Sequence, residues 1–118
     1  MKTFFIISII CISNVVFSQK TISLDSVQDY IDKEVKVCAK VEGTHKSSGK
    51  SQLIFLNLGK PYPNAPLLAV IFEKDFKNFG YAPEKFLDKK NVCITGKLVL
   101  YKGKPEFIIK DENQIQIE

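Results

Sequence analysis

The clearest pattern in the chain runs over residues 91–101, where Val92, Ile94, Leu98 and Leu100 alternate with Cys93, Thr95, Lys97 and Val99. A period of 2 is the signature of a strand with one buried face. Gly96 falls on the apolar side, and a glycine inside a strand often marks a sharp bend in a barrel. A short apolar segment follows at 106–110, with Phe107, Ile108 and Ile109. Tyr101-Lys-Gly-Lys-Pro105 between them supplies turn residues, so a hairpin is predicted over 91–110.

The earlier segments need partners, and this hairpin offers them. Val35, Val37, Ala39 and Val41 alternate with Lys36, Cys38, Lys40 and Glu42, predicting a strand over 34–42. The polar stretch 43–51 reads as a flexible basic loop. In QLIFLNL, residues 52–58, Ile54, Leu56 and Leu58 fit a core face, which leaves Phe55 and Asn57 on the other. Three prolines within 59–66 make that segment irregular. Leu67–Phe72 is a third strand, apolar throughout. Residues 73–88 predict a turn and then a short helix over 83–87, because Pro83 suits a first helical turn. Before the first strand, Ser23 is placed to cap a helix over 24–31, with Leu24, Val27 and Ile31 along one face. Residues 19–21 read as a loose tail, and 111–118 as a tail whose Ile115 and Ile117 extend a strand. The predicted order is a helix, three strands, a helical connection and two strands, within one domain.

The first residues stand apart from this pattern. Met1-Lys2, an apolar run over 4–16 and Val16-Phe17-Ser18 have the layout of a secretory signal peptide, cleaved between Ser18 and Gln19. The run is short for a bilayer span. The chain is therefore expected to be exported, to the periplasm or the medium, with no membrane attachment after cleavage. The segment 19–118 carries sixteen lysines against thirteen acids and no arginine. Planar, bidentate recognition of phosphates or base edges by guanidinium is thereby excluded, and only lysine point charges remain.

Five strands with a helix between the third and fourth is the arrangement of an OB-fold barrel, mainly β. Val35-Lys-Val-Cys-Ala-Lys-Val41, Phe55-Leu-Asn-Leu-Gly-Lys-Pro-Tyr-Pro-Asn64, Asn91-Val-Cys-Ile-Thr-Gly-Lys97 and Tyr101-Lys-Gly-Lys-Pro105 carry the resemblance further. With these motifs the chain resembles a family of small bacterial OB-fold domains in the tRNA-anticodon-binding-like, nucleic-acid-binding group. Such domains occur alone behind signal peptides or attached to nuclease-type enzymes. The resemblance covers 31–110. Ala39 departs from it, since relatives often show glycine after the first cysteine.

The resemblance implies that the first and fourth strands are antiparallel neighbours, which would set Cys38 beside Cys93. Two cysteines in an exported chain then point to a disulfide. Two cysteines with the lone His45 on a distant loop make a poor zinc set, so neither metal nor cofactor is expected. OB-folds bind on the face of strands two and three, between the loops after strand one and between strands four and five. The matching residues are Lys46 and Lys50, with His45, in the first loop; Phe55 and Asn57 on strand two; Phe72 at the end of strand three; and Tyr101, Lys102 and Lys104 in the last loop. Flat rings for bases and cations for phosphates suit single-stranded DNA or RNA. The alternative ligand for the same face is a protein or a glycan. Tyr62 reads as a cover for a barrel end. No catalytic residue is expected: nuclease chemistry needs clustered carboxylates and arginine, and a flexible loop holds His45 poorly as a base. The expected molecule is a monomeric binding module, not an enzyme.

Overall fold

The computed structural model describes residues 20–118, so the leader expected over 1–18 lies outside the described residues. The chain forms β1 (Lys20–Ile22), β2 (Glu34–Lys46), β3 (Leu53–Leu58), β4 (Leu67–Phe72), β5 (Asn91–Tyr101), β6 (Lys104–Ile108) and β7 (Ile115–Ile117). Helical structure is sparse: short 3-10 helices at Leu24–Tyr30, Glu73–Asn78 and Glu112–Gln114, and one α-helical turn, α1, at Pro83–Phe86. No described helix is long and apolar enough to cross a membrane.

The strands form one mixed sheet in the order β1-β2-β3-β4-β6-β5-β7, and an added β2–β5 pairing closes five of them into a ring. The long β2 makes this closure possible. Its first half pairs antiparallel with β5, from Glu34↔Lys97 to Lys40↔Asn91. Its second half pairs with β3, from Val41↔Leu58 to Lys46↔Ile54. The register shifts between Val41 and Gly43, an irregularity that bends a strand and lets it leave one partner for another. β6 then joins β4 in parallel and β5 in antiparallel register, completing the circuit. Val35, Val37, Val41, Ile54, Leu56, Leu58, Leu67, Ile71, Ile94, Leu98 and Phe107 fill the interior. Gly96 has its expected inward place: a Cβ there would stand 3.4 Å from the Phe107 ring.

Several expectations are corrected. The structure has seven strands where five were expected. Residues 20–21, expected as part of a loose tail, begin β1, which pairs in parallel with β2 at Lys20↔Val35 and buries Ile22. The expected loop 43–51 is shorter, because β2 continues to Lys46 and carries Gly43, Thr44 and His45 as strand residues. The hairpin loop is also shorter than Tyr101–Pro105. Tyr101 pairs with Lys104, so only Lys102 and Gly103 turn, both at positive φ (49° and 79°), as a tight two-residue hairpin turn needs. The short helix expected over 24–31 is a 3-10 helix over Leu24–Tyr30, and the Asp25 amide donates to the Ser23 hydroxyl as the expected cap. Ile115 and Ile117 do extend the sheet, as β7 on the outer edge of β5.

Cys38 and Cys93 face each other across the β2–β5 seam and are joined by a disulfide. The Glu118 carboxylate lies 3.1 Å from the Cys93 sulfur. Cys38, Cys93 and Glu118 form a compact set of ligand-type atoms, but the closed bridge occupies both sulfurs and leaves one carboxylate.

Candidate functional site

The register places one set of side chains on the outer face of β3, β4, β6 and the second halves of β2 and β5. Because side chains alternate along a strand, the partners of Asn57 define a row: Gly43 on β2, Leu68 on β4, Glu106 on β6 and Val99 on β5. The next row holds His45, Phe55, Val70 and Ile108. This face is apolar along its middle, with Val70 only 3% exposed.

A cleft of about 640 Å³ opens on it. Its floor is Phe55, Asn57 and Leu68, one wall is Gly43, Thr44 and His45 of β2, and the other is Pro61 and Tyr62 from the loop 59–66. The His45 and Phe55 rings lie nearly parallel, 20° apart, with centroids 6.4 Å from each other. Tyr62 is 82% exposed at the rim. Asn57, 5% exposed, donates an amide N–H to the Gly43 carbonyl at 3.4 Å. The Thr44 hydroxyl donates to the Glu84 carbonyl at 2.6 Å, anchoring the β2 wall to α1.

Of the expected lysines, Lys104 alone contacts a segment that walls the cleft. Lys46 is held 3.9 Å from a Glu84 oxygen and 5.3 Å from the centre of the Phe76 ring. Lys50 is exposed in the loop between β2 and β3. At the β5–β6 tip Tyr101 is exposed, with the Lys102 ammonium 5.4 Å from its ring centre. Lys104 donates to the Pro63 carbonyl at 3.3 Å, tying the hairpin to the loop 59–66.

Of the residues expected at the site, Phe55 and Asn57 line the cleft. Lys104 reaches its loop wall from the hairpin, where Tyr101 is its strand partner, whereas Lys46, in register with Ile54 and beside Glu84 and Phe76, faces away from the cleft. Phe72, 37% exposed, stands on the same face but away from the cleft, where Leu53 is its strand partner. Lys50 and Lys102 are peripheral. Tyr62 does not cover a barrel end; it forms the cleft rim. His45, expected beside Lys46 and Lys50 in a loop, lines the cleft as a strand residue, while Tyr62, Leu68 and Glu106 complete the face without having been among the expected site residues. Leu68 and Glu106 are revealed only by pairing across strands, through the parallel β4–β6 contact, and the β2–β3 register makes His45 and Phe55 neighbours.

Glu106 is the most unusual group on this face. It is 7% exposed, and burial pushes its carboxyl above the usual range, with the nearby Lys104 charge acting in the opposite sense. The ion pairs among the described residues, Lys40–Glu42 and Lys46–Glu84, do not include it. A carboxyl whose pKa is raised on folding favours the folded state below its unfolded pKa, and that contribution is lost as pH rises through the folded value. Glu106→Gln is therefore expected to match the parent in thermal stability near pH 4 and to equal or exceed it at pH 7. Melting curves at the two pH values check this; a variant clearly less stable at pH 7 would show that the ionised carboxylate is held by favourable contacts.

No protein-family model matches the chain, and no curated protein does. Among solved structures, the fold is similar to part of a protein assigned as an aspartyl-tRNA synthetase from Leishmania major Friedlin. The TM-score is 0.49 at 17% identity, over 89% of this chain and 22% of that one. The chain thus spans under a quarter of that protein's length.

Proposed function

We propose that the five-strand ring is an OB-fold barrel and that its outer face binds single-stranded nucleic acid with little dependence on sequence overall. The observation that carries this reading is the cleft itself. Its floor and rim present the Phe55, His45 and Tyr62 rings, and a lysine-bearing hairpin tip is tied to its loop wall. Flat rings stack on bases of any identity, and ammonium groups follow the phosphates. The strand order also suits the proposal, with the helical segment between β4 and β5 where an OB-fold carries its connection. In this reading the protein is an exported binding module rather than an enzyme: the leader-like first residues and the Cys38–Cys93 bridge both suit an oxidising compartment.

The test is fluorescence anisotropy of the 19–118 segment with labelled single-stranded oligonucleotides across a salt series. Binding should weaken linearly on a log–log salt plot, with a slope of about −0.7 per phosphate contacted. Lys102→Ala/Lys104→Ala should reduce the steepness of that slope by about 1.4. The slope is the useful readout, because Lys104 also holds the loop through Pro63. A loosened loop would lower affinity without changing the number of counterions released. Oligonucleotide binding untouched by the double change would remove the hairpin from the interface.

The apolar strip of Leu68, Val70 and Val99 across this face gives the competing ligand, a protein or glycan, its physical basis. Binding of that kind should respond little to salt.

A further inference from the structure

We propose that Glu106 makes the face selective for guanine among the bases of a bound single strand. The inference rests on the nucleic-acid reading above and adds a specificity to it.

A phosphate-binding surface has no evident use for a carboxylate, yet one stands in the middle of this face. Glu106 occupies the Asn57 row, immediately beside Leu68, which is cleft floor. Adjacent strands lie about 4.8 Å apart, so a base seated on Leu68 has the Asn57 strand on one side and the Glu106 strand on the other, with Glu106 itself 7% exposed and one strand beyond the cleft lining. Phe107, the next residue, is buried in the interior, and alternation therefore turns Glu106 outward. Lys104, two residues before it and on the same side of β6, is drawn to the Pro63 carbonyl. That leaves the carboxylate behind the lysine bridge, one strand over from the cleft. The sealed, partnerless oxygens among the described residues belong to Asp75 and Glu84, not to Glu106.

An ionised carboxylate only accepts hydrogen bonds, through two oxygens side by side. Its complement is an edge with two adjacent donors. On the Watson–Crick edges exposed in single strands, guanine alone offers this, with N1–H beside its 2-amino group. Cytosine and adenine set an amino donor beside a ring-nitrogen acceptor, which opposes the second carboxylate oxygen. Thymine and uracil place one N–H between two carbonyls, and both of those repel the carboxylate. The chain has no arginine to read guanine from its acceptor side. Glu106 therefore ranks guanine first and thymine or uracil last.

The experiment uses three labelled oligonucleotides of equal length at low salt: all dT, dT with one central dG, and dT with one central deoxyinosine, which lacks the 2-amino group. The dG strand should bind about 10-fold more tightly than all dT, within the roughly 5–150-fold span of a bidentate base contact. Deoxyinosine should lose most of that gain. Glu106→Gln should bring the three affinities to within about twofold of one another. A purely structural role for Glu106 would shift all three together and leave their ratios alone. Equal binding of the three strands by the parent overturns the guanine assignment and leaves the nucleic-acid reading standing, as does a dG preference that survives Glu106→Gln. Failure of every strand to bind at low salt overturns both.

Discussion

Replacing Cys38 and Cys93 together by alanine is expected to lower the folding stability of the 19–118 segment by about 4 kcal/mol. The bridge joins residues separated by 55 positions, and the chain-entropy cost of leaving so large a loop open sets this figure. For a domain of this size the melting temperature should fall by roughly 15–30 °C. The location adds to the effect. Cys38 and Cys93 sit within the β2–β5 register, the pairing that closes the strand ring, and its two strands have β3, β4, the 3-10 helix 73–78 and α1 between them in sequence. In the unfolded chain the bridge holds the two halves of that seam together; without it the longest-range pairing must form unaided. Urea unfolding of parent and variant, with and without a thiol reductant, is the measurement. The parent should lose stability on reduction, and the variant should not respond. A parent insensitive to reductant would mean that the two sulfurs are not bridged in the folded protein.

The sequence made that seam legible because the pattern on both strands is regular. Val35 to Val41 and Val92 to Leu98 each alternate, and their apolar sets are buried apart from the partly buried Ala39. Leu67–Phe72 was bounded by prolines on one side and charges on the other, so its limits were legible too. What stayed hidden depends on tertiary partners. β1 is three residues long with one buried side chain, Ile22; it has no periodicity of its own and exists as a strand only because the first half of β2 offers it a free edge. The second half of β2 was obscured in a different way. The irregularity near Glu42 breaks the alternation; beyond it His45 borders the open cleft, and Thr44 and Lys46 are polar because they meet the Glu84 carbonyl and carboxylate of α1. Polarity of that kind looks the same in sequence as a loop. Tyr62 is the converse case: in a proline-rich segment its ring has no periodic context, and only the fold of 59–66 beside Phe55 and Leu68 gives it a place.

Removing the two ring platforms together, Phe55→Ala/Tyr62→Ala, should cost the largest share of oligonucleotide affinity, about 2–6 kcal/mol if each ring stacks one base. The two positions separate binding from folding. Tyr62 is almost fully exposed, so Tyr62→Ala alone should leave the melting temperature unchanged and any loss of affinity is a loss of contact. Phe55 is half-buried and stacked against His45, so its removal has a stability cost as well; Phe55→Leu keeps apolar volume on the floor while deleting the flat face. If stacking is the mechanism, Phe55→Leu should weaken binding nearly as much as Phe55→Ala and leave the protein closer to parent stability. If the floor is merely an apolar surface for a protein ligand, leucine should substitute well and only alanine should harm. Salt sharpens the contrast. Loss of a stacking ring should lower affinity equally at every salt concentration, leaving the log–log slope unchanged, because no phosphate contact is lost. A ring variant that altered the slope would show that the rings position the lysines, with Tyr62 acting through the Pro63–Lys104 bridge instead of touching a base.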